Sequence, residues 1–242
     1  MDNILTTETP YGKFSYWPND IIGKAIACGI FWDEHFKEEF DKLGPGSVAV
    51  DVGANLGWFS VYAAKRGCRV YAFEPCHEVL GLLRTNVEQN SVSPEVSIFP
   101  LALYEREQRL DAVDLGPENP ADQHFDHGHM DTMTCKNSGA LNLSPSESGV
   151  YWSMPMDAFH FGRLDLLKID TEGTDLEVMK GGRETIETNH PVICYEYLGP
   201  NPDIDATRMN QFTAFMEEIG YVSEQVHMDM NGCYRDFIAR PK

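Results

Sequence analysis

Asp51, Gly53, Asn55 and Gly57 follow one another in "VDVGANLG", and Glu74 closes the later run "VYAFEP". An apolar strand ending in Asp51 leads into a glycine-punctuated loop and then a helix. Loops of this shape receive phosphate when they read Gly-x-Gly-x-x-Gly, because glycine permits close backbone approach. Here the third glycine arrives too early, and Asp51 would oppose a pyrophosphate. A ligand with a cation beside the loop and no phosphate fits the residues better. S-adenosylmethionine, with its ammonium and sulfonium, is such a ligand. Asp51 would meet its amino group, directly or through water, while amides near the loop and helix start would suit its carboxylate. Glu74 lies 23 residues after Asp51, at a strand end where a carboxylate accepts both ribose hydroxyls. The competing reading is a tight strand-to-helix turn with an unrelated carboxylate at the sheet edge.

A second group of acids stands further along. "LLKIDTEG" places Asp170 at a strand end and Glu172 just before a helix, and Glu196 closes "PVICYEY". Three carboxylates at one sheet edge can act as a base toward a hydroxyl or as hard oxygen ligands of a divalent metal. Asp170 and Glu172 are alternatively helix-capping acids, and Glu196 a partner of Lys168 or Arg208. His124, His127 and His129, with Asp126 and Asp131 beside them, form a further cluster able to supply a base or bind a transition metal, or simply to be solvated. Trp17, Trp32, Trp58 and Trp152 are candidates for an acceptor pocket, with core packing the default for all but Trp58. Trp58, in the first helical turn after the loop, is expected nearest the cofactor.

These groups need a scaffold that brings strand ends together. From Val48 onward, apolar runs ("SVAVDV", "CRVYAFEP", "EVSIFPLAL", "RLDLLKID", "PVICYEY") alternate with helical patterns. This alternation predicts a mainly parallel sheet covered on both faces. The last two runs, "YVSEQVHM" and "CYRDFIARP", are joined only by a short turn, which makes the terminal strand antiparallel. "WDEHFKEEFDKL" reads as an amphipathic helix ending at Gly44-Pro45-Gly46, within an N-terminal cover of residues 1–46. Gly181-Gly182 reads as a helix stop. Residues 114–150, rich in Gly, Pro, Asn, Ser and His, read as a lid-like insertion. The expectation for residues 1–242 is a single domain.

The chain has 242 residues, with Lys plus Arg at 19 and Asp plus Glu at 38 for a net charge of −19. That field repels polyphosphate, so nucleic acid and anionic membrane surfaces are disfavoured as partners. No apolar run approaches the roughly 20 residues of a membrane span, and the N-terminus lacks a signal-peptide pattern. Six scattered cysteines without a Cys-x-x-Cys pair suit reduced thiols. A cytoplasmic protein is the expectation.

The motifs "VDVGANLGWFSVYAAKRGCRVYAFEP", "LAL" at Leu101–Leu103, "RLDLLKIDTEGTDLEVMKGG" and "PVICYEY", in this order, resemble those of FkbM-type methyltransferases over about Tyr11 to Tyr197. The resemblance implies a class I, Rossmann-like α/β fold and S-adenosylmethionine-dependent methylation, typically of a hydroxyl on a small-molecule or sugar-like acceptor. On this reading Asp51, Gly53, Asn55, Gly57, Trp58 and Glu74 form the cofactor site, with Leu101 and Ala102 near the adenine. Asp170, Glu172 and Glu196 are the candidates for catalysis, and a divalent metal is left open. The rivals are a non-catalytic cofactor-binding regulatory module and an NAD-dependent oxidoreductase.

Overall fold

A computed structural model of the chain describes residues 4–113, 141–200, 206–230 and 232–242. The central sheet is built from β3 (Val48–Val52), β4 (Arg69–Phe73), β5 (Val96–Phe99), β10 (Leu166–Ile169), β11 (Val192–Leu198), β12 (Tyr221–Met228) and β13 (Tyr234–Pro241). Its spatial order is β12-β13-β11-β10-β3-β4-β5. All neighbours are parallel except those involving β13, which runs antiparallel to both β11 and β12. The terminal antiparallel strand is therefore present as expected, slotted inside the sheet rather than along its rim. This is the class I, Rossmann-like α/β architecture anticipated above.

Both faces of the sheet are covered, which explains why its strands read as continuous apolar runs. Alternate residues enter two separate cores. Ala49, Ala72, Leu166, Cys194 and Ile238 pack with α1 (Ile21–Ala27), α2 (Lys37–Asp41), α3 (Trp58–Ala64) and α4 (His77–Gln89). Val50, Phe73, Leu167, Ile193, Tyr195 and Phe237 pack with α5 (Asp175–Gly181), α6 (Arg183–Asn189) and α7 (Thr207–Glu218). Gly181-Gly182 ends α5 as expected, but a second helix, α6, restarts at once. No helix among the described residues is long and apolar enough to cross a membrane.

Two regions depart from the sequence expectations. The N-terminal cover contains a hairpin of β1 (Leu5–Thr9) and β2 (Gly12–Tyr16). The expected helix at 32–43 is reduced to a 3-10 turn, Glu34–Phe36, followed by the short α2. Side-chain amides of α4 pair the hairpin as a neighbouring strand would. Asn86 Oδ1 accepts from the Ser15 amide at 2.7 Å, and its Nδ2 donates to the carbonyls of Ser15 and Leu56 at 3.1 and 2.7 Å. Asn90 adds a matching pair of bonds to Lys13. The second departure is a small sheet, ordered β6-β9-β7-β8, of β6 (Ala102–Leu103), β7 (Gln108–Ala112), β8 (Leu143–Pro145) and β9 (Tyr151–Met154). The C-terminal end of the anticipated insertion is thus strand, while residues 114–140 lie outside the described residues.

A buried charge cluster fixes the C-terminal edge of the central strands. Lys168 of β10 is in register with Asp51 of β3. Its Nζ donates to the Gly53 carbonyl at 3.1 Å and to Asp170 Oδ2 at 3.0 Å, and lies 3.5 Å from Asp51 Oδ1. Asp51 Oδ2 accepts from the Ser60 hydroxyl at 2.6 Å. Burial alone would pull the Lys168 pKa down, but Asp170 and Asp51 outweigh it and hold it raised. Burial also pushes Asp51 up, against the downward pull of Lys168 and Ser60. Gly53 has φ +73°, and a Cβ there would lie 1.8 Å from the Asp170 carbonyl oxygen, so only glycine fits.

Two stability effects follow. Lys168→Met leaves two carboxylates facing each other without their cation, an expected loss of about 3–5 kcal/mol. Adding Asp51→Asn should recover part of it in a double-mutant cycle read by chemical denaturation; additive losses would show that the two groups do not interact. Asn86→Ala strips three buried bonds, two from the hairpin and one from the Leu56 carbonyl, and should cost about 2–4 kcal/mol, with wild-type stability removing Asn86 from the hairpin's anchorage.

Candidate active site

The order of the strands reverses direction at β3, since the chain passes to β4 and β5 on one side before returning to β10 and β11 on the other. Ligand crevices in open α/β sheets form outside the strand ends at such a switch. A crevice of about 400 Å³ is found there. Its wall takes Val52 and Gly53 from the end of β3, Phe73 and Glu74 from β4, and Leu101, Ala102 and Leu103 from around β6. The opposite side is made by Asp170, Thr171, Glu172 and Thr174, with Leu141 and Leu143 completing the apolar lining.

Glu74 is held at this wall by the backbone. Its Oε2 accepts from the Asn55 amide and its Oε1 from the Cys76 amide, both at 2.8 Å. Burial dominates its titration and raises it to about 7, although the two amides pull in the other direction. A carboxylate offers roughly four lone-pair positions. The two used here leave capacity for two further donors.

The glycine loop works differently from the sequence expectation. The amides of Gly53 and Ala54 both donate to the Phe73 carbonyl at 3.0 Å, and that of Gly57 to Ala54. The Asn55 amide goes to Glu74 and the Leu56 amide to the Asn55 side chain. The anticipated cradle of loop amides for a ligand carboxylate is therefore taken up by Phe73 and Glu74 at the end of β4 and within the loop itself. Gly57, at φ +91°, lies where a Cβ would meet Leu83 at 2.6 Å, so it permits α3 to close on α4. Gly53 reaches the crevice, whereas Asp51, Asn55 and Gly57 stand behind its wall. Asp51 is turned to Lys168 and Ser60 because strand alternation points it toward α3. Trp58 likewise does not line the crevice. It is buried against Tyr11, Phe14 and Phe31, with ring centroids 4.8–5.6 Å away. Trp17 and Trp32 belong to that same core and Trp152 is exposed beside Arg109, so no tryptophan contributes to the crevice wall.

Asp170 and Glu172 do face the crevice together. Glu172 adopts φ +53°, a left-handed conformation that is unusual for a residue with a side chain and turns the chain between β10 and α5. Glu196 lies one strand away, buried off the wall, with its amide 3.3 Å from Asp175 Oδ1. Its Oε2 has no hydrogen-bond partner among the described residues. Burial, reinforced by Asp170, Glu172, Asp175 and Asp236, pushes the Glu196 carboxyl well above the usual range. Burial and then Asp170 raise Asp175 to about 7, opposed by the Thr171 hydroxyl. This edge therefore holds two buried carboxyl groups, Glu196 and Asp175, that keep their protons more tightly than usual. The acids Asp170, Glu172 and Glu196 do not bring three ligand atoms within reach of one ion. His124, His127 and His129, with Asp126 and Asp131, lie outside the described residues.

Sequence reasoning missed Thr171, Thr174, Leu141 and Leu143 as crevice residues, and the pairing of Lys168 with Asp51. A signal was available for the contact of Lys168 with Asp170, since residues two apart along a strand share a face, whereas its pairing with Asp51 depends on the register of β10 with β3.

Comparison with known proteins places this geometry in context. Residues 51–223 match the model of the methyltransferase FkbM domain. The chain is 28% identical over 225 residues to methyltransferase sdnD of Sordaria araneosa, covering 80% of this chain and 83% of that one. It is 35% identical over 114 residues to the 31-O-demethyl-FK506 methyltransferase FkbM of Streptomyces tacrolimicus, covering 43% and 44%. An 81-residue stretch is 38% identical to the AMB antimetabolite synthetase AmbE of Pseudomonas aeruginosa, of which the chain spans 4%. Among solved structures, methyltransferase FkbM from Methylobacillus flagellatus superposes with a TM-score of 0.52 at 18% identity, over 80% of this chain and 43% of that one. A Streptococcus mutans protein in complex with SAH gives 0.51 at 9% identity, over 86% and 96%. Both structures share the fold. With the family model spanning most of its length, from the Asp51 strand through the acidic edge to the last helix, the chain belongs to the FkbM methyltransferase family.

Proposed function

We propose that the crevice binds S-adenosylmethionine and that the protein methylates a hydroxyl oxygen of a small-molecule or sugar-like acceptor. The observation that carries this reading is Glu74, a buried carboxylate fixed at the end of β4 by two backbone amides, with acceptor capacity to spare beside an apolar wall. Those features fit the ribose hydroxyls and adenine of this cofactor. The SAH bound to the Streptococcus mutans neighbour and the O-methyltransferase relative from Streptomyces tacrolimicus support the same assignment. When bound, the cofactor supplies an electrophilic methyl group.

The chain's own residues would hold and orient. Glu74 accepts the ribose hydroxyls, Phe73, Leu101, Ala102 and Leu103 enclose the adenine, and Gly53 lets the chain approach. Asp51 and Lys168 set the loop from behind rather than meeting the ligand. Asp170 and Glu172 face the acceptor side and take up or relay the hydroxyl proton, with Glu196 and Asp175 as buried carboxyls behind them. Much of the rate enhancement would come from positioning the acceptor oxygen in line. A charge of −19 favours neutral or cationic acceptors over polyanions.

Titration calorimetry with S-adenosylmethionine, S-adenosylhomocysteine and NADH tests the reading; binding of the first two without NADH is expected, and NADH binding alone would overturn it. An ionised Glu74 accepts two hydroxyls better than a protonated one. Cofactor affinity should therefore rise as pH passes upward through about 7 and level off above it. In Glu74→Gln the affinity should be weaker and the pH dependence flattened; an unchanged profile excludes Glu74 from the ribose. Asp170→Asn should cut turnover about 100-fold or more while leaving cofactor affinity near wild type, and wild-type turnover would remove it from the chemistry.

A further inference from the structure

Outside the crevice, three side chains from distant parts of the chain converge. His35 belongs to the N-terminal cover, in the 3-10 turn Glu34–Phe36, while His227 and Asp236 belong to β12 and β13. Asp236 Oδ2 lies 3.0 Å from His35 Nε2 and 3.1 Å from His227 Nδ1. One oxygen thus faces two imidazole nitrogens, and all three atoms lie within 4.8 Å of one another. The geometry points to a binding site for a first-row divalent transition metal, of the zinc class, formed by His35, His227 and Asp236.

Four observations argue for it. Two imidazoles and one carboxylate form the donor set that such ions prefer over magnesium or calcium. With metal–ligand bonds of about 2.1 Å, ligand atoms in tetrahedral array stand about 3.4 Å apart, so the 3.0 and 3.1 Å separations to Asp236 need to widen by only a few tenths of an ångström to admit an ion. His35 Nε2 is buried and, despite the nearness of Asp236, has no hydrogen bond of proper geometry among the described residues. A ring nitrogen close to a carboxylate but off its hydrogen-bond axis is what a shared cation would accommodate. Finally, the rings of His35 and His227 are parallel within 1° at 5.2 Å between centroids. Rotation of the half-exposed His227 ring brings its nitrogen onto an ion held by the other two.

This placement has two consequences. The ion would tie the N-terminal cover to the C-terminal hairpin, elements that the sheet itself does not join. It would also stand next to the acidic edge, since Asp236 pairs in register with Glu196. The solvent-facing side of His227 leaves coordination positions open to water or to an oxygen ligand. The site stands apart from the proposed methyl transfer, because metal binding is measured without cofactor or acceptor.

The test uses the full chain, stripped with EDTA and titrated with Zn²⁺, and with Co²⁺ as a spectroscopic probe. Stoichiometric binding is expected, with cobalt d–d bands indicating nitrogen and oxygen ligands and a raised Tm on zinc addition. His227→Ala, at a half-exposed position that should leave folding intact, is expected to abolish the stoichiometric binding, the bands and the Tm rise. A chain with His124, His127 and His129 all changed to Ala should retain them. Absence of binding to the wild-type chain, or its persistence in His227→Ala, overturns the assignment. So does its loss in the triple variant alone, which would place the ion on the histidine-rich segment.

Discussion

The ammonium of Lys168 holds the C-terminal edge of the central strands in place. It is buried, and no solvent can replace its three oxygen neighbours on Asp51, Gly53 and Asp170. Those neighbours belong to two adjacent strands and to the loop that leaves one of them. The pairing of β3 with β10 therefore cannot slip without stranding a charge in a low-dielectric interior. Gly53 tightens the same constraint sterically, since the Asp170 carbonyl occupies the space that a side chain would need. The crevice wall is rigid because its backbone is clamped electrostatically from behind and sterically from the side.

The acids that extend from this clamp share a face because the strands are in register. Ile169 pairs with Tyr195, so Asp170 comes level with Glu196, and Glu196 pairs with Asp236. Their electrostatic fates differ along the row. Glu196, surrounded by burial and other carboxyls, is pushed up. At Asp236 burial also pushes up, yet His227 and His35 outweigh it and hold the carboxyl below its usual value. A row of like residues is thus divided by its partners into groups that keep their protons and groups that give them up.

The sheet was legible in the sequence because burial on both faces leaves uninterrupted apolar runs. Four of the five runs from "SVAVDV" to "PVICYEY" became single strands, while "EVSIFPLAL" broke at Pro100 into β5 of the central sheet and β6 of the small one. The positions of Glu74 and Asp170 on the crevice wall were legible because both follow the C-terminal ends of strands beside the switch point. Asp51 and Trp58 were harder, since proximity in sequence to a glycine loop does not say which side of the sheet a side chain faces. Asp51 turned toward α3, and Trp58 into the aromatic packing of a hairpin that the sequence did not announce. The loop amides were misjudged for a related reason: a carbonyl on the neighbouring strand, Phe73, competes for them. His35, His227 and Asp236 left no local signal at all. They meet only because β13 inserts beside β11 and the cover folds over the same face.

The two sides of the crevice are built on different principles. Glu74 is oriented by main-chain amides on separate oxygens, and a main-chain donor survives every substitution except proline. The geometry also dictates the residue type. A glutamine in this position would turn its NH₂ toward the amide of either Asn55 or Cys76, donor against donor, so the frame selects a carboxylate before any ligand arrives. The acidic side lacks such a pair of main-chain donors on one carboxylate. Asp170 is held by Lys168, and Asp175 by the Thr171 hydroxyl and, at 3.3 Å, by the Glu196 amide. Asp170 and Asp175 thus each lean on another side chain, so one substitution displaces more than one group. The half of the site that meets an invariant cofactor would be fixed by backbone. The half proposed to meet the acceptor leans on side chains, which substitution can alter while the fold and the β4 frame around Glu74 remain intact.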